Sequence, residues 1–121
     1  MAEIRRPPSI DAYGGGGFRV SGERVEGSIL ILDDQLKPWP VASREALTVD
    51  DLAQVLAAGP RAVEFLLLGI GPKAAPAPPE VRKALQAAGM GLEVMDTATA
   101  CRLYNVLAAE GRRLAAALIA I

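Results

Sequence analysis

The sequence predicts a single α/β domain built on a mixed sheet, and three observations carry that prediction. Residues 62–72, Ala-Val-Glu-Phe-Leu-Leu-Leu-Gly-Ile-Gly-Pro, form a short apolar run that stops in a Gly-x-Gly-Pro turn. This is the pattern of a strand buried on both faces, with glycines to turn the backbone at its carboxyl end. From that run onward strand and helix signals alternate, which implies right-handed crossovers and mainly parallel strands. Before it, short strand signals separated by turn residues call for hairpins, whose strands are antiparallel. At 121 residues and 51% apolar, the chain suits one domain over 1–121 with a real core.

Taken in order, Ile10 to Tyr13 reads as a short edge strand before Gly14-Gly-Gly-Gly17. The glycine run reads as a bend or bulge between strands, since neither a helix start nor Lys-Ser/Thr follows it to make a phosphate cradle. Phe18 to Val20 and Arg24 to Glu26 flank a Ser21-Gly22 hairpin turn. The next strand ends in Ile29 to Leu32, apolar throughout and so buried on both sides. Asp33-Asp34-Gln35 turns the chain, and Pro38 and Pro40 hold Leu36 to Val41 extended. Thr48 caps a first helix with Asp50 and Asp51 in its first turn. Its stripe is Val49, Leu52, Ala53 and Leu56, and Gly59-Pro60 stops it. After the apolar strand, residues 73–79 form a rigid extended connector in which Lys73 reads as a solvated lysine.

A second helix spans Glu80 to Ala88 on a Val81, Ala84, Leu85, Ala88 stripe. Leu92 to Met95 is the next strand. A third helix runs from Asp96-Thr97 to about Glu110, with Ala100, Leu103, Tyr104, Leu107 and Ala108 on one face. The alanine-rich start of residues 114–121 could prolong that helix, but Leu118-Ile-Ala-Ile121 favours a final buried strand there.

Composition narrows function by exclusion. Thirteen basic and fourteen acidic residues leave a net charge of −1, with the cations scattered, so no nucleic-acid footprint is present. One cysteine and no histidine exclude an intramolecular disulfide, histidine-based catalysis and the usual zinc and haem ligand sets. No cofactor and no metal are expected. Met1 to Pro8 lacks an apolar signal core, and no apolar run approaches the roughly 20 residues of a membrane span. A cytoplasmic protein without an integral membrane segment is the expectation.

Neighbouring strand ends should gather Gly69, Gly71 and Pro72 near Asp96, Thr97 and the start of the third helix. Arg102 and Asn105 would lie further along that helix. Glycine turns beside free helix amides make a generic anion site, so this is the candidate small-molecule crevice. No Gly-x-Gly-x-x-Gly and no Walker lysine accompany it, and Asp96 or Thr97 reads more simply as a helix cap. Cys101 lies where a helix dipole could activate it. Without a histidine base, and beside the apolar stripe, it reads as an inert core thiol. Arg102 and Asn105 could bind a carboxylate or a partner backbone, with surface or capping roles preferred. Trp39, between its two prolines, either covers core at the sheet edge or anchors a protein partner. The core reading is preferred.

Tyr13-Gly-Gly-Gly-Gly-Phe18, Gly27-Ser-Ile-Leu-Ile-Leu32 with Trp39, Phe65-Leu-Leu-Leu-Gly-Ile-Gly-Pro72, and Val94-Met-Asp-Thr-Ala-Thr-Ala-Cys-Arg-Leu-Tyr-Asn-Val-Leu107 with Ala115-Ala-Ala-Leu-Ile119 occur in this order. Together they resemble the small domain shared by mitochondrial complex I assembly factor three, the adipogenesis-associated domain proteins and uncharacterised bacterial and archaeal proteins. Nearly the whole chain is covered, and the chain looks like a bacterial member. The resemblance implies one three-layer α/β domain with a central mixed five-stranded sheet, and it carries over no catalytic residues. Two functions follow as expectations. The first is a non-catalytic interaction or accessory protein with a protein partner. The second is a small-ligand protein or unrecognised enzyme using the crevice.

Overall fold

The structure is a computed structural model that describes residues 6–121. The expectations for Met1 to Arg5 lie outside the described residues. The strands are β1 (Ile10–Gly14), β2 (Gly17–Val20), β3 (Glu23–Glu26), β4 (Ile29–Leu32), β5 (Gln35–Pro38), β6 (Phe65–Gly69), β7 (Gly91–Met95) and β8 (Leu114–Leu118). The helices are α1 (Ala53–Ala58), α2 (Pro79–Ala87) and α3 (Thr97–Ala109).

The five-stranded sheet has the order β5-β4-β8-β6-β7. β6 runs parallel to both β7 and β8, whereas β4 is antiparallel to β8 and β5, so the sheet changes sense between β8 and β4. Because side chains alternate along a strand, two cores form. Leu30, Leu66, Leu68 and Ala117 pack with Val55 of α1 and Leu85 of α2. Ile29, Ile31, Leu67 and Leu118 face the other way, against Ala100 and Tyr104 of α3 and Phe18 of β2. These are the three layers, as expected.

Three details depart from the sequence reading. Only β4 and β5 join the central sheet as antiparallel strands, while β1-β2-β3 form a separate sheet. Ile10, Phe18 and Val20 bury their apolar face beside α3, which takes the first hairpins away from the main sheet. The last strand is Leu114–Leu118, earlier than expected, and its three alanines are fully buried. Alanine is a poor strand former in isolation, but between β4 and β6 small side chains let helices lie close on both faces, so tertiary packing overrides propensity. The first helix begins as a 3-10 turn, Val49–Leu52, before α1. Thr48 opens that turn, donating its backbone N–H at 2.8 Å and its hydroxyl at 3.0 Å to the Asp51 carboxylate.

The glycine run is a hairpin turn. Gly15 and Gly16 have φ of 62° and 82°, the left-handed values of a two-residue turn between paired strands. Arg24 fixes it, donating Nη1 to the Gly14 carbonyl and Nη2 to the Gly15 carbonyl, each at 2.9 Å.

Candidate functional site

At the carboxyl ends of β6 and β8 the chain meets the first turn of α3, and one hydroxyl joins all three. Thr97 is fully buried. Its Oγ1 donates to the Ile119 carbonyl at 2.7 Å and accepts the Gly71 N–H at 3.0 Å. The Thr97 N–H donates to the Gly71 carbonyl at 2.8 Å. Gly71 sits at φ 118°, a conformation few side chains tolerate. Gly69 is glycine for a different reason. A Cβ there would lie 2.9 Å from Leu118 Cδ2 and 3.1 Å from Thr97 Cα, so its absence lets α3 close on the sheet.

Asp96 is the cap of α3, accepting the Thr99 N–H at 3.0 Å and the Thr99 hydroxyl at 2.7 Å. The Thr99 hydroxyl, then its N–H, holds the Asp96 carboxyl below its ordinary value near 3.8. A depressed pKa contributes stability that is full above the ordinary value and is lost as pH falls through the depressed one. Asp96→Ala should therefore cost about 1 kcal/mol at neutral pH, the usual worth of a cap, with the difference shrinking in acid. Urea melts of both proteins at pH 7 and pH 3 check this.

Pro72 is exposed and stays with this group, lining with Gly71, Lys73, Arg44 and Ile119 a cleft of about 330 Å³. The last two candidates lie apart. Arg102 is exposed and donates to the Tyr13 hydroxyl at 3.3 Å. Asn105 takes its own chain's backbone, accepting the Ile10 N–H and donating to the Ile10 carbonyl, both at 2.8 Å. Thus Gly69, Gly71, Pro72, Asp96 and Thr97 come together, while Arg102 and Asn105 bond to β1 further along α3.

Trp39 is only 3% exposed, and its Nε1 donates to the Asp51 carbonyl at 2.8 Å. That is the geometry of the core-sealing reading. Two polar groups escaped sequence reasoning. Ser28 donates to the Val41 carbonyl at 2.6 Å and accepts the Ala120 N–H at 2.9 Å. The Tyr104 hydroxyl donates to the Pro8 carbonyl at 2.7 Å. A lone serine opening an apolar strand was a usable signal for the first; the second had none.

Cys101 is buried, and burial pushes its thiol up to about 12. It should react slowly with an aromatic disulfide reagent until denaturant is added. Cys101→Ala should cost roughly 1 kcal/mol, the common scale for single substitutions. Among the described residues no group of three or more His, Cys, Asp or Glu could hold a metal ion. No helix among them is long and apolar enough to cross a membrane.

A family model described as a protein of unknown function, DUF498/DUF598, matches residues 10–119. The chain belongs to this family. An uncharacterised protein of Rhodobacter capsulatus is 41% identical to this DUF498 chain over 110 residues, 91% of this chain and 82% of that one. A mouse protein named NADH dehydrogenase [ubiquinone] 1 alpha subcomplex assembly factor 3 is 36% identical over 119 residues, 98% of this chain. The DUF498 chain spans 64% of the mouse protein's length. Among solved structures, one titled an outer membrane protein from Bartonella henselae superposes with a TM-score of 0.88 at 34% identity, covering 94% of this chain and 95% of that one. The resemblance read from the Tyr13 to Phe18 and Val94 to Leu107 segments thus holds at the level of family and fold.

Proposed function

We propose that this protein is a non-catalytic accessory factor that binds protein partners during assembly of a larger complex. The finer reading is that the complex is a respiratory NADH dehydrogenase and that the protein acts from the cytoplasm, without a resident cofactor and without nucleic acid. One observation carries the proposal: the match over 98% of the chain to a mouse protein named as an assembly factor of that enzyme. The site geometry agrees with it. The backbone groups of Gly69 and Gly71 and the side chains of Asp96 and Thr97 are bonded to one another or to neighbouring backbone, an arrangement that closes the fold.

The test is to delete the gene and quantify the assembled enzyme on native gels of the membranes. The proposal predicts less full-size NADH dehydrogenase and more subassemblies, both reversed by restoring the gene. Unchanged assembly would overturn the finer reading.

A further inference from the structure

A sheet edge exposes backbone donors and acceptors that can accept another strand unless something blocks them. Among the described residues the two sheets present four edges, those of β1, β3, β5 and β7. Three are blocked. Asn105 occupies both backbone groups of Ile10 on β1. β3 carries the exposed charges Glu23, Arg24 and Glu26, and β5 contains Lys37 and ends in Pro38. β7, with the sequence Gly-Leu-Glu-Val-Met, has neither proline nor cation.

The orientation of its open groups follows from the ladder. Gly91 donates its N–H to Glu64, and Met95 accepts from the Ile70 N–H. In a parallel ladder alternate residues face the same neighbour, so Gly91, Glu93 and Met95 point their backbone groups at β6. Leu92 and Val94 therefore point theirs outward, and no hydrogen bond from a described residue meets them. Their half-buried side chains extend the core on the α2 face, whereas Glu93 is exposed on the opposite face.

We propose that the protein partner docks on β7 by adding an extended strand, with apolar side chains beside Leu92 and Val94 and a lysine or arginine beside Glu93. Main-chain bonds would supply affinity, and the alternating side chains specificity. The proposal rests on the accessory-factor reading and locates its interface. A second copy paired antiparallel about Glu93 is disfavoured, since that register sets two carboxylates face to face.

The experiment compares amide hydrogen exchange in the free protein and in the complex isolated from its native cells, with Glu93→Lys as the variant. Leu92 and Val94 should exchange rapidly when free and at least about tenfold more slowly in the complex. Glu93→Lys should cut partner recovery by about tenfold at an unchanged melting temperature. Protection elsewhere, with wild-type recovery of Glu93→Lys, would overturn this docking mode and leave the accessory reading standing. Failure to isolate any complex would overturn both. A dimer of the free chain with Leu92 and Val94 already protected would show a second copy on the edge and overturn the heterologous partner.

Discussion

Trp39→Ala will lower folding stability by about 3 to 5 kcal/mol, the scale for deleting a large buried aromatic. The ring is 3% exposed and packs in the core that contains Val41, Leu47 and Leu52. The substitution also leaves the Asp51 carbonyl without the indole donor at 2.8 Å. Trp39→Phe keeps one aromatic ring but loses the donor together with the rest of the indole, so it should cost less than the alanine variant, about 1 to 3 kcal/mol. Urea melts of the three proteins decide it. A loss below about 1 kcal/mol for the alanine variant would mean that the ring does not seal the core.

Thr97→Val will cost about 3 kcal/mol although it changes neither size nor shape. The valine leaves the Gly71 N–H and the Ile119 carbonyl without the hydroxyl that both use. Each orphaned buried group costs about 1 to 3 kcal/mol. Thr97→Ser keeps the hydroxyl and loses one methyl, so it should cost only about 1 kcal/mol. The ordering of the two variants is the informative result. If Thr97→Ser were the more damaging, packing would govern this corner and hydrogen bonding would not.

Physical reasons separate what the sequence disclosed from what it hid. β6 and α3 were legible because burial on both faces and a capped apolar stripe leave local marks at Phe65 to Gly69 and at Asp96. The convergence of Gly69, Gly71 and Thr97 followed from topology, since parallel strands deliver their carboxyl ends to one edge. β8 was displaced because Ala115 to Ala117 carry helix propensity, and only their place between β4 and β6 makes them strand. The roles of Asn105 and Tyr104 were hidden because their partners, Ile10 and Pro8, are 95 and 96 residues away in the chain. Once seen, they account for the Tyr-Asn pair in the segment that carries the resemblance most specifically. These two side chains fasten the N-terminal segment and its sheet to α3.

A domain that works by holding a protein partner should keep that partner through purification. The most direct measurement is to purify it, tagged and at native expression level, from its own cells under gentle conditions, and to identify whatever accompanies it by intact-complex and small-molecule mass spectrometry. A protein partner should appear in fixed stoichiometry and remain bound to Arg102→Ala. Recovery of the chain without a protein partner but with a stoichiometric metabolite would contradict the partner-binding role.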